Sequence, residues 1–157
     1  MNEHIQNIIQ KLDLQPHPEG GYYKETYRST ETCLDGTRNV QTAIYFLLTS
    51  ENVSHFHRIK SDEIWYFHAG SPLVVHTLTD KGHTQHLVGN AITNGQTPQL
   101  LVPKDTIFGS SVLEKDSYSL VSCSVAPGFD FTDFELFTKA DLMVEYGEFE
   151  EIIELLT

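Results

Sequence analysis

Hydrophobic and polar positions along the chain follow two different periods. Near the start, Ile5, Ile8, Ile9 and Leu12 recur at i, i+3, i+4 and i+7. This spacing predicts an amphipathic helix over residues 3–14, closed by Pro16 and Pro18. From Gly21 the period shortens towards two. Tyr22–Arg28 and Gln41–Leu48 read as strands, the second nearly all apolar beyond Thr42 and so buried on both faces. Further strands are predicted at Val53–Arg58, Asp62–His68, Leu73–Thr79, His83–Val88, Gln99–Val102, Thr106–Ser111, Ser117–Ala126 and Phe131–Phe137, with turns such as Leu34-Asp35-Gly36-Thr37 and Asp80-Lys81-Gly82 between strands. Residues 139–156 return to a helical pattern. Many short strands between two helical ends indicate an all-β barrel or sandwich. With no repeat, linker or low-complexity tract, residues 1–157 are expected to form a single domain with a barrel over about 21–137.

The chemistry-bearing positions cluster in the middle of this pattern. In His55-Phe56-His57, strand alternation places both imidazoles on one face. Glu63 opens the next strand, Glu63-Ile64-Trp65-Tyr66-Phe67-His68, and shares a face with Trp65 and Phe67. Imidazoles beside a carboxylate support three chemistries: a metal site, acid–base work, or a polar ligand contact. The expected catalytic pair is His57 and Glu63, with the alternative that the two only hold adjacent strands together. Tyr45, Trp65, His76 and Glu19 are the expected ligand contacts. Glu19 lies in His17-Pro18-Glu19-Gly20-Gly21, a segment whose proline and glycines read first as a rigid crossover and second as a rim over the barrel mouth.

Charge and cysteine content narrow the partners. The net charge of −12 opposes nucleic acid and anionic membranes, which need a basic surface. No apolar run approaches the roughly 20 residues of a membrane helix, and Met1-Asn2-Glu3-His4 lacks a signal-peptide start. A cytoplasmic protein with Cys33 and Cys123 reduced is expected.

Three ordered segments carry a family resemblance: His17-Pro18-Glu19-Gly20-Gly21-Tyr22-Tyr23 with Tyr27-Arg28-Ser29; Thr42–Leu48 leading to His57-Arg58; and Val125-Ala126-Pro127-Gly128-Phe129-Asp130-Phe131. Together they resemble the Cupin_5 (DUF985) family of small cupins, and His57–Trp65 with Gly70 resembles the first cupin motif. The resemblance implies a double-stranded β-helix (jelly-roll) barrel, usually a homodimer, similar in shape to the barrels of sugar-nucleotide epimerases. It implies no activity. Metal-binding cupins take two histidines and a glutamate from the first motif and a histidine from the second. Here His55, His57 and Glu63 would supply the first three, but Phe108 stands at the fourth position, and a phenyl ring is no ligand. The expectation is therefore a cofactor-free pocket for a small polar metabolite, sugar-like or a carboxylate, with isomerase- or epimerase-type chemistry. The alternatives are a cupin enzyme holding one divalent transition metal on His55, His57 and Glu63, and a non-catalytic sensor or interaction module.

Overall fold

The computed structural model describes residues 3–157. Helix α1 (Glu3–Lys11) is followed by β1 (Gln15–Pro16), β2 (Tyr22–Arg28), β3 (Thr32–Cys33), β4 (Arg38–Asn39), β5 (Thr42–Thr49), β6 (Val53–Arg58) and β7 (Asp62–Gly70). Then come β8 (Leu73–Thr79), β9 (Gly82–Val88), β10 (Gln99–Val102), β11 (Ile107–Val112), β12 (Tyr118–Ala126) and β13 (Glu135–Leu136). Helices α2 (Lys139–Tyr146) and α3 (Glu150–Leu155) close the chain. Two sheets face each other, one in the order β1-β2-β5-β12-β7-β10 and the other β13-β6-β11-β8-β9. This antiparallel jelly roll answers the all-β expectation.

Alternation sorts the side chains into an inner core and two outer ones. Phe46, Leu48, Trp65, Val75, Phe108 and Val121 fill the space between the sheets. On the outside of the six-stranded sheet, α1 lays Ile5, Ile8 and Ile9 over Leu14 and Leu47. On the outside of the other sheet, Leu142, Ile153 and Leu156 cover Phe56, Leu78 and Ile107. The terminal helices thus cover the outer faces and leave the space between the sheets to the site.

Beyond shifts of one or two residues at strand ends, three predicted elements differ. The first helix stops at Lys11 instead of residue 14, because Asp13 takes a left-handed φ of 51°. The predicted strand Phe131–Phe137 is a 3₁₀ turn, Phe131–Asp133, followed by β13. There the Asp130 side chain accepts from Thr132 N–H and caps the turn. The single C-terminal helix is broken at Gly147–Phe149.

Candidate functional site

The site is organised by the loop between β1 and β2. Gly20 has φ of 107°, and a Cβ there would lie 2.0 Å from the Val53 carbonyl oxygen, so only glycine fits this close approach to β6. That approach pins Glu19 through both of its backbone groups. Its N–H donates to His17 Nδ1 at 3.1 Å. Its carbonyl accepts from the His55 backbone N–H at 2.7 Å and from the His55 ring Nδ1–H at 2.7 Å. The Glu19 side chain is thereby carried into the barrel, where it is buried.

There it meets His57, whose Nε2 lies 2.9 Å from Glu19 Oε2. His57 Nδ1 sits 2.7 Å from the His55 carbonyl. A carbonyl only accepts, so Nδ1 carries a hydrogen. A single proton then lies between Nε2 and the carboxylate. Burial opposes charge on both partners, but each favours the charged form of the other. The imidazole is held above its ordinary value and Glu19 below its own, an imidazolium–carboxylate pair. The sequence reading paired His57 with Glu63. The structure gives His57's hydrogen bond to Glu19 instead, because the glycine loop delivers that carboxylate first.

Glu63 faces the same cavity from the start of β7 and is buried. Its burial, and secondarily the Glu19 charge, raise its pKa from 4.5 to about 7, although the His57 charge works against them. Cys123, on the adjacent strand β12, lies beside it; burial and then the Glu63 charge push the thiol well above its ordinary range. The site thus contains one fixed ion pair and one carboxyl that titrates near neutrality.

The cavity has a volume of about 480 Å³ and an opening to solvent. At its rim, Arg28 clasps Glu25 through Nε and Nη2 at 2.8 and 2.7 Å. The segment after β12 supplies Phe129, Asp130 and Phe131. It is anchored by Arg38, which donates to both oxygens of Asp133 at 2.8 and 2.7 Å. Phe131 is 52% exposed and lies with its ring 6.3 Å from that of His17. Because His17 Nδ1 accepts from Glu19, its hydrogen sits on Nε2. Burial holds this ring below its ordinary pKa, so it is a neutral donor on the cavity wall.

The other expected ligand contacts do not line the cavity. Tyr45 points outward from β5 and packs in the cluster beneath α1. Trp65 faces inward but sits deeper, 1% exposed among Phe46 and Phe108. Its Nε1–H has no partner among the described residues. His76 lies on the outer face of β8, with Nδ1 3.0 Å from His83 Nε2 and Nε2 3.1 Å from Ser111 Oγ. Glu19, His57 and Glu63 are the expected residues that the structure does bring together. His17, which the rim reading of its loop allowed as a ligand contact, lines the cavity with them, and Glu25, Arg28, Cys123 and Asp130 join without having been singled out as site residues.

The metal set of the alternative reading, His55, His57 and Glu63, is not assembled. A β-bulge lets His55 and Phe56 oppose Gly109 alone, with His57 opposite Phe108 and Ser54 opposite Ser110. The alternation that would place His55 beside His57 is broken there. His55 is turned to the Glu19 carbonyl, both His57 nitrogens are engaged, and the Phe108 ring lies 4.2 Å from that of His57. Among the described residues, no three His, Cys, Asp or Glu side chains are grouped to hold a metal ion. This donor arrangement does not fit the cation. Both cysteines are free.

A two-sheet jelly roll with its polar site between the sheets is the architecture that cupin barrels share. The chain belongs to the Cupin_5 family, the Cupin superfamily (DUF985), which it matches over residues 6–137. It is similar to the uncharacterized protein YML079W of Saccharomyces cerevisiae, with 33% identity over 146 residues that span 82% of this chain and 73% of that one. Protein SO0799 from Shewanella oneidensis superposes with a TM-score of 0.91 at 43% identity, over 97% of this chain and 96% of that one. A hypothetical protein from Leishmania major does so at 0.90 and 43%, over 97% of each chain. Oxalate decarboxylase from Bacillus subtilis shares the fold alone, with a TM-score of 0.60 at 17% identity over 95% of this chain and 38% of that one. Among the described residues, no helix is long and apolar enough to cross a membrane.

Proposed function

We propose that the cavity binds a small polar metabolite and moves a proton on it, in isomerase- or epimerase-type chemistry, with Glu63 as the exchanging group. The observation that carries this reading is a carboxyl group enclosed in a ligand-sized cavity and held near pH 7. Close to neutrality both its forms are populated, so one side chain can take a proton and return it. In the proposed step the Glu63 carboxylate removes a proton from a carbon adjacent to a carbonyl. The C–H electron pair forms a C=C bond, and the carbonyl π pair moves to oxygen. Return of the proton by Glu63 on the same face to the neighbouring carbon, once the hydroxyl proton has moved, completes isomerisation; if the enolate first turns over in the cavity, return to the original carbon completes epimerisation, and neither route needs an oxidant or reductant. The neutral His17 Nε2–H is the donor suited to the developing oxyanion, and the His57 imidazolium adds positive charge nearby. Glu19 holds that charge in place.

The test is solvent deuterium exchange. The protein is incubated in D₂O with panels of aldoses, ketoses and 2-oxo acids, and incorporation next to the carbonyl is followed by NMR. At least one compound is expected to exchange, and Glu63→Gln to slow that exchange by about 10²-fold or more. Exchange that is unaltered in the variant, or absent across the panels, rejects the reading.

A further inference from the structure

We infer that the cavity selects an uncharged polyhydroxylated ligand, of the free monosaccharide class, and rejects carboxylates, phosphates and amines; the inference rests on this cavity being the ligand site proposed above. The argument begins with what each formal charge on the wall is already doing. Arg28 is the cation at the rim. Its Nε and Nη2 hold both Glu25 oxygens, Nη2 also donates to the Phe129 carbonyl at 3.2 Å, and Nη1 donates to Asn39 Oδ1 at 2.8 Å. Only one of its five N–H groups is left. His57 has one nitrogen on Glu19 and the other on the His55 carbonyl, so it offers no free N–H. Asp130 accepts from Thr132 N–H and Oγ1 and lies 3.9 Å from Arg38 Nη1.

An anion entering this space therefore finds no free cation to pair with. It would lose its water beside Glu19 and Glu63, and like charges in a poorly solvated site repel strongly. The chain's net charge of −12 adds to this at longer range. Decarboxylase-type substrates and nucleotide-linked sugars are disfavoured on the same ground. A cation fares little better: Glu19, Glu25 and Asp130 are already paired, and Glu63 is the single acid left.

What the wall does offer suits hydroxyl groups. His17 Nε2–H is a neutral donor with no hydrogen-bond partner of its own among the described residues, and the Glu19 and Glu63 carboxylates are strong acceptors for O–H groups. Tyr23, Phe129 and Phe131 supply ring surface for the C–H face of a sugar, with Phe131 half-exposed at the mouth.

Matched ligands test this. The protein is titrated by calorimetry at pH 7 with glucose, gluconate, glucose 6-phosphate and glucosamine, and with the corresponding four forms of galactose and mannose. At least one neutral hexose is expected to bind tenfold or more tighter than its acid, its phosphate and its amine. Phe131→Ala at the rim is expected to weaken that hexose by fivefold or more. The inference is overturned if a charged form binds tightest, if no neutral hexose binds, or if Phe131→Ala leaves binding unchanged. The deuterium assay is read separately. Hexose binding without exchange rejects the proton chemistry and leaves the charge selection standing. Exchange on a charged compound does the reverse.

Discussion

Glu63 is expected to weaken the fold as pH rises towards neutrality, and the size of that cost follows from the structure. Its pKa rises from 4.5 to about 7 on folding. A proton is therefore bound more tightly by the native chain than by the unfolded one. Stability is highest with the carboxyl protonated, below pH 4.5, and falls as pH rises through the window from 4.5 to about 7. At 1.36 kcal/mol per pKa unit, the full loss is about 3 kcal/mol once Glu63 is ionised in both states. Glu63→Gln keeps the shape and removes the titration. The variant should match the parent at pH 4.5 and exceed it by about 3 kcal/mol at pH 8.5, a Tm difference of about 6–12 °C for a chain of this size. Urea and thermal unfolding of both proteins at the two pH values measure this. His57 titrates in both proteins, so its effect largely cancels in the difference. A variant that is less stable at pH 8.5, or whose advantage is equal at the two pH values, refutes the assignment of a high pKa to this carboxyl.

Two other outcomes follow from the loop that delivers Glu19. Glu19→Gln removes the charge that holds His57 protonated, so the imidazole, followed by ¹⁵N NMR, should titrate lower than in the parent; an unmoved titration would mean that burial alone governs it. Gly20→Ala forces a Cβ to 2.0 Å from the Val53 carbonyl oxygen in a left-handed backbone. It should cost well over about 1 kcal/mol in urea unfolding and shift the His57 resonances, whereas a silent substitution would show that the loop is not held against β6.

The barrel and the inward direction of His57 and Glu63 were readable because strand alternation is a local rule. Glu19 was visible as a polar residue in a loop of unusual composition. Its pairing with His57 was not, since Glu19 reaches β6 through a left-handed glycine and a non-local backbone approach. His55 misleads for a different reason: a bulge breaks the period of two, and no residue in His55-Phe56-His57 announces one. Tyr45 and His76 sit on strands covered on their outer faces by terminal helices, so burial and apolar neighbours say nothing about which side they face. Trp65 has the expected direction and the wrong depth, a distinction that periodicity does not contain. Arg28 and Asp130 reach the rim from distant parts of the chain, and only the assembled sheets show that they are neighbours.

The strand that carries His57 has its outer side covered by residues far downstream. Phe56, between the two histidines, receives the Phe137 N–H on its carbonyl at 3.0 Å and gives its own N–H to the Leu156 carbonyl at 2.8 Å. A nascent polypeptide emerging from the ribosome has no such cover until these positions have been synthesised. Until then β6 presents a raw hydrogen-bonding margin on which another growing chain could zip. Protection of this margin from aggregation therefore waits until the segment carrying Phe137 and Leu156 has folded back.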